Sequence, residues 1–203
     1  MRPLVKFCGI TRQQDVLEAA NLGVDYLGFV LVPGSKRYLQ EIELAALLQI
    51  VPASVKKVLV LADLELTEIK RLVAVFKPDI VQLHGNESPD LAAKITAVEV
   101  WKAVHLRDER DLPPAIAFPA QRLVVDAGQG GSGQICDWQL AAKLAHAREI
   151  IIAGGITPEN VADALRQSKA IGIDCASGIE AKPGTKDLNK MRRIIENVRD
   201  LES

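Results

Sequence analysis

EIIIAGGITPEN, residues 149–160, holds a strand, a turn and the approach to a helix in one short stretch. EIIIA (149–153) is apolar nearly throughout, as a parallel strand covered on both faces must be. Gly154 and Gly155 let the chain turn tightly. Thr157-Pro158 then reads as an N-cap followed by proline in the first turn of a helix. This is one strand–turn–helix unit, and the fold depends on how often it recurs.

It recurs from end to end. Apolar runs that read as strands stand at LVKFC (4–8), YLGFVL (26–31), VKKVLVL (55–61), DIVQLH (79–84), VEVWKAV (98–104), RLVVD (122–126), EIIIA (149–153) and AIGID (170–174). Helical patterns lie between most of them. In TRQQDVLEAANLG, Thr11 and Gln14 have capping-box spacing, and Gly23 can end the helix. LQEIELAALLQIV stops at Pro52 and LELTEIKRLVAVF at Pro78, while Ser88-Pro89 opens another helix. DLNKMRRIIENVRDL carries apolar residues near the 3.6 spacing and supplies the last one. After strand five, LRDERDLPPAIAFPA contains three prolines, so helix five is short or replaced by a loop. Eight such units predict an α/β protein, a single-domain (β/α)8 TIM barrel over residues 1–203. A doubly wound sheet has fewer strands and usually a nucleotide turn, and no GxGxxG follows the first strand. No linker, low-complexity segment or second domain interrupts the pattern.

Bulk properties narrow the function. An apolar share of 48% with 25% charged residues is that of a soluble globular chain. A net charge of -1 offers no global field for nucleic acid or membrane, so an anionic ligand has to be held locally. Aromatic content of 4%, with no basic stripe, argues further against nucleic acid. Cys8, Cys136 and Cys175 are odd in number and form no CxxC pair, so neither a disulfide framework nor structural zinc is suggested and a reducing compartment fits best. The apolar part of MRPLVKFCG is too short for a signal peptide, and no run reaches transmembrane length. A cytoplasmic location is expected.

Barrel enzymes carry their sites at the C-terminal ends of the strands. Read in order, those ends supply Cys8, Arg37 in the loop after strand two, Gln82 and His84, Asp126, and Asp174. Gln82 shares a face with His84, and Lys6 shares one with Cys8. Polar groups at the last inward positions of apolar strands are poor choices for stability and point to a polar cup at one mouth. Each also has a plainer reading: Cys8 as packing, Asp126 as a turn residue, His84 as a cap, and Lys6 as an ion-pair partner. Cys136 and Cys175 read as packing. AGGIT (153–157) and CASGIE (175–180) are glycine-containing turns after strands seven and eight, where barrels commonly bind phosphate through backbone N–H groups. GQGGSG (128–133) reads as a mobile active-site loop, since no GKS or GKT follows to make a P-loop.

VKFCGITRQQD, LGFVLVPGSKRY, VQLHGNE, VDAGQGGSGQICDW, IIAGGITPENV and GIDCASGIEAKPGTKD, in this order and on these strand ends, resemble the phosphoribosylanthranilate isomerase family of tryptophan biosynthesis along nearly the whole chain. The resemblance implies an aldose–ketose isomerase. Its Amadori rearrangement converts N-(5-phosphoribosyl)anthranilate to 1-(2-carboxyphenylamino)-1-deoxyribulose 5-phosphate without metal or organic cofactor. It further implies Cys8 as general base, Asp126 as general acid and Arg37 on the anthranilate carboxylate. Gly154, Gly155, Ser177 and Gly178 fall in the phosphate turns, and Asp174 near the sugar hydroxyls. The chain departs from the family pattern at Lys36, where proline is common, and at Ala62, near an expected phenylalanine–asparagine pair. It departs again at Cys136, for phenylalanine, and at Ala176, for serine.

The chemistry asks each group for its less usual state. A carboxyl near pKa ~3.9 has to be protonated and a thiol near ~8.5 ionised. Burial raises the first, and a cation such as Lys6 lowers the second. Two other readings compete. One is another phosphosugar isomerase, or a lyase using Lys6 as a Schiff-base nucleophile. The other is a non-catalytic phosphometabolite-binding module, which ought to lack the acid or the base. Monomer and homodimer are both open.

Overall fold

The computed structural model describes residues 2–126 and 137–202. Eight parallel strands close into a barrel in chain order: β1 (Leu4–Cys8), β2 (Tyr26–Val30), β3 (Lys56–Leu61), β4 (Ile80–Leu83), β5 (Glu99–His105), β6 (Arg122–Asp126), β7 (Ile150–Ile152) and β8 (Gly172–Cys175). The eight expected strands are all present, with ends displaced by a residue or two. Helices alternate with them: α1 (Gln13–Asn21), α2 (Glu41–Leu48), α3 (Leu66–Phe76), α4 (Pro89–Ala93), α5 (Leu112–Ala117), α6 (Trp138–Ala145), α7 (Val161–Ser168) and α8 (Leu188–Arg199). The short α5 has proline at its start, where a missing N–H costs nothing. A two-stranded ribbon, β9 (Glu180–Lys182) with β10 (Thr185–Lys186), is inserted between β8 and α8.

Alternation along each strand sorts the residues into two compartments. Outward positions such as Phe7, Leu27, Phe29, Leu59, Val81, Leu123 and Ile173 join the inner faces of the helices in one continuous core. In α8 that face is Met191, Ile194, Ile195 and Val198, the spacing of an amphipathic helix. Inward positions fill the barrel. Tyr26, Val58, Ile80, Trp101, Val124 and Ile151 plug its lower part, with the Tyr26 and Trp101 rings edge-on at 4.9 Å. Above them Cys8, Val30 and Val60 form a small apolar layer at the mouth.

Two expected helix starts are not where the sequence placed them. Thr11 does not cap α1. Its hydroxyl donates to the Gly184 carbonyl of the ribbon, and Arg12 is the N-cap, with no side-chain bond. Thr157-Pro158 opens a turn rather than α7, which starts at Val161 after Asn160. The Asn160 side chain is what delays it, accepting from Thr157 N (2.9 Å) and donating to Gly155 O (2.8 Å). Ser88 does cap α4, accepting from Leu91 N, and Gly23 takes φ +77 just past α1. The GQGGSG segment and Cys136 lie outside the described residues.

Candidate active site

A cavity of about 670 Å³ opens at the C-terminal ends of the strands. Cys8, Arg37, Gln82, His84, Asp126, Asp174, Gly154, Gly155, Ser177 and Gly178 all line it. Every residue singled out from the strand ends and the two glycine turns is therefore gathered around one space. Of the departures from the family pattern, Lys36 and Ala176 face this space, and Ala62 is not part of its wall.

Cys8 is the last residue of β1, and its side chain needs room that Gly28 of β2 provides. A Cβ built on Gly28 would stand 2.8 Å from Cys8 Sγ. Lys6, one pleat below, is completely buried and donates to Asp174 Oδ2 of neighbouring β8 at 2.5 Å. This is the ion-pair reading of Lys6, with register bringing the two residues side by side. Asp174 Oδ1 has no hydrogen-bond partner among the described residues, nor does Gln82 Oε1. Buried acceptors left open at a cavity wall are suited to ligand hydroxyls.

Burial pushes the Cys8 thiol above its ordinary 9.0. Lys6 pulls it down, Asp174 pushes it up again and Lys186 pulls it down, and burial wins. A nearby cation is therefore not enough to ionise the thiol before a ligand arrives, contrary to the expectation from sequence. For Lys6 itself, burial lowers the pKa, but Asp174 and Cys8 outweigh it, so the ammonium keeps its charge. His84 Nδ1 lies 3.2 Å from Gln82 Nε2, and its Nε2 is 3.7 Å from Asp126 Oδ2. Burial, helped by Lys6, lowers the His84 pKa to about 4. The ring is neutral at pH 7, with Nδ1 accepting from Gln82, so Nε2–H faces Asp126.

The turns after β7 and β8 press on each other. Gly154 and Gly155 take φ of +75 and +63. A Cβ on Gly178 would fall 1.8 Å from the Ile156 carbonyl oxygen, so this glycine is required by the meeting of two backbones. Gly9 is likewise required by a close approach. A Cβ there would overlap Arg37 Cδ at 2.2 Å, because the arginine side chain lies across it.

Two residues that no strand-end reading points to support the site, Glu180 on the wall and Lys186 buried behind it. Glu180, in β9, accepts from Arg37 Nε and Nη2, each at 2.7 Å. Lys186, in β10, donates to Glu180 Oε1, Cys8 O and Ala176 O. Burial lowers the Lys186 pKa, with Glu180 opposing. Both stand in the GIDCASGIEAKPGTKD segment that carries the family resemblance, but nothing in its pattern separates them from the other charged residues there.

A closed parallel barrel with a thiol, carboxyl groups and a guanidinium gathered around one cavity at the carboxyl ends of its strands defines a (β/α)8-barrel enzyme. The family model for N-(5'-phosphoribosyl)anthranilate isomerase matches residues 5–197. The isomerase of that name from Chromohalobacter salexigens is 40% identical, over 97% of this chain and 94% of the relative. The crystal structure of the Thermus thermophilus phosphoribosyl anthranilate isomerase superposes with a TM-score of 0.91 at 36% identity, covering 98% of this chain and 99% of that one. A further phosphoribosyl anthranilate isomerase, solved in complex with reduced 1-(o-carboxyphenylamino)-1-deoxyribulose 5-phosphate, gives a TM-score of 0.89 at 32% identity, with 98% and 99% coverage. The chain belongs to the N-(5'-phosphoribosyl)anthranilate isomerase family.

Proposed function

We propose that Cys8 and Asp126 are the base and acid with which this isomerase of tryptophan biosynthesis rearranges N-(5-phosphoribosyl)anthranilate. The observation that carries the reading is their shared position on one cavity with Arg37 and the two glycine turns. The 5-phosphate sits against the backbone of Gly154, Gly155, Ser177 and Gly178, and the anthranilate carboxylate meets Arg37. The ribose then lies between β1 and β6, with Asp174 Oδ1 and Gln82 Oε1 free to accept from its hydroxyls.

Asp126 gives its proton to the furanose ring oxygen, and the C1–O bond opens to a cationic Schiff base between C1 and the anthranilate nitrogen. Cys8, as thiolate, takes the C2 proton. The electrons move to neutralise the iminium as an enolamine, which gains a proton at C1 and gives up the proton of its C2 hydroxyl to become the C2 ketone. The proton taken by Cys8 and the one given by Asp126 are exchanged back through solvent, so the substrate is isomerised with no net change in atoms. The cationic Schiff base, one bond from C2, brings the charge that Lys6 alone does not supply, and favours the thiolate when it is needed. The His84 Nε2–H steadies Asp126 once its proton has left. Neither step requires Lys6 as a nucleophile, since its ammonium is held by Asp174. Such a reaction belongs in the cytoplasm, and no helix among the described residues is long and apolar enough to cross a membrane.

The test follows the loss of anthranilate fluorescence from phosphoribosylanthranilate generated in place. Cys8→Ser and Asp126→Asn should each lower kcat by about 10²–10⁴-fold with an unchanged fold by circular dichroism. Near-parental turnover in either variant would remove that residue from its role.

A further inference from the structure

We infer that Glu180 and Lys186 are positioning residues for recognition of the substrate carboxylate: Glu180 holds Arg37 by one edge of its guanidinium, and Lys186 restores the positive charge that this pairing cancels. The inference rests on the reading of Arg37 as the carboxylate site and adds the groups that make it work.

Arg37 reaches the cavity by a fixed path. Its Cδ lies against Gly9, and its side chain is only 11% exposed. Glu180 engages Nε and Nη2 in the two-point geometry that suits a guanidinium and a carboxylate. Nη1 has no acceptor among the described residues and remains for a ligand. The same pairing creates a problem, because an arginine already matched to a carboxylate attracts a second one weakly. Lys186 resolves it. Its side chain is fully buried, and its ammonium lies 3.1 Å from Glu180 Oε1. Arg37 and Lys186 against Glu180 leave this triad with a net positive charge, and the neighbouring Asp15 carboxylate is matched by Arg12 at 3.9 Å.

The other two Lys186 bonds reach the carbonyls of Cys8 (2.6 Å) and Ala176 (3.0 Å). All three donors of the ammonium are thereby used, each on a residue of the cavity wall. The ribbon carrying both residues is also tied to the β1–α1 turn, through Thr11 Oγ1 to Gly184 O and Lys186 N to Asp15 Oδ2. It is a brace between the base and the carboxylate site. A ribbon serving only stability would not need to bury a lysine beside the strand end that bears the thiol.

Two probes separate recognition from scaffolding: reduced 1-(o-carboxyphenylamino)-1-deoxyribulose 5-phosphate and the same molecule without its carboxylate. Calorimetric Kd values are measured for the parent, Arg37→Ala, Glu180→Asp and Lys186→Met. The parent should prefer the carboxylate-bearing probe, and Arg37→Ala should abolish that preference. Glu180→Asp, which keeps the charge but loses the two-point grip, and Lys186→Met, which removes a cation, should each cut the preference by about tenfold or more and leave the carboxylate-free probe within roughly twofold. Equal weakening of both probes would mean a scaffold only and overturn the inference. So would an unchanged preference in both variants while Arg37→Ala loses it. If Arg37→Ala keeps the preference, the Arg37 reading itself fails, which is a distinct result. Should Glu180→Asp not fold, Glu180→Gln combined with Lys186→Met leaves the net charge of the cluster unchanged and removes the two-point grip. It should lose the preference as well, and its retention would overturn the inference.

Discussion

At Cys8 the balance of forces is set by what surrounds the sulfur. Burial keeps the thiol protonated above its ordinary 9.0, against the pull of Lys6. With the proposed acid and base, activity depends on a minority form, because a carboxyl ordinarily titrates below a thiol. Below the carboxyl pKa, thiolate is lost by about tenfold per pH unit. Between the two values, the fall in protonated acid and the rise in thiolate cancel. Above the thiol pKa only the acid keeps disappearing. A plot of kcat/KM against pH should therefore be flat through neutrality and fall only above pH 9. An alkaline limb below that value would contradict the assignment. His84 supplies a second test, in stability. Its pKa falls from 6.5 to about 4 on folding, so between those values the unfolded chain binds a proton that the folded one refuses. Stability from this source is complete above pH 6.5 and is lost as pH falls through 4. Urea unfolding from pH 7 to pH 4 should show a loss of about 2–3 kcal/mol that His84→Gln removes. An identical slope in the variant would show that His84 is not its source.

At the scale of elements, the strands were legible because burial on both faces demands runs such as EIIIA and RLVVD, which little else in a soluble chain produces. Helix starts were less legible. Thr157-Pro158 has the composition of an N-cap, but the Asn160 side chain binds the Gly155 carbonyl and Thr157 amide and holds the segment as a turn. The β9–β10 ribbon was not legible as secondary structure, although its residues lie in the GIDCASGIEAKPGTKD segment. Its segments are only two or three residues long, and the Glu180–Arg37 pair joins positions 143 apart in sequence. The glycine turns were read correctly in place and incompletely in cause, since Gly178 answers to the Ile156 carbonyl of the facing turn. Gly178→Ala must push the two turns apart and disturb the proposed phosphate amides. KM should rise about tenfold or more, as loss of a hydrogen bond to a charged group requires. A KM within twofold of the parent would place the phosphate elsewhere.

For the whole molecule, the barrel divides its tasks along its axis. The lower interior is closed by Tyr26, Trp101 and their apolar neighbours, with Arg122 over the Trp101 ring at 5.6 Å. The upper interior exchanges apolar packing for Lys6, Asp174, Gln82, His84 and Asp126, at the mouth where barrel enzymes work. Strand ends could be read for this because inward polar residues stand out against apolar runs. Which of them meet across the barrel could not, since that follows from closure of β1 against β8. In the proposed mechanism a sulfur from β1 and a carboxyl from β6 act on one sugar held by its phosphate at the far rim. A crystal structure with reduced 1-(o-carboxyphenylamino)-1-deoxyribulose 5-phosphate would show whether they can. The phosphate should rest on the turns after β7 and β8, the carboxylate on Arg37, and the ribulose chain between Cys8 Sγ and the Asp126 carboxylate, with both in reach of its carbons and oxygens. A sugar bound out of reach of either group, or a phosphate seated away from those turns, would contradict it.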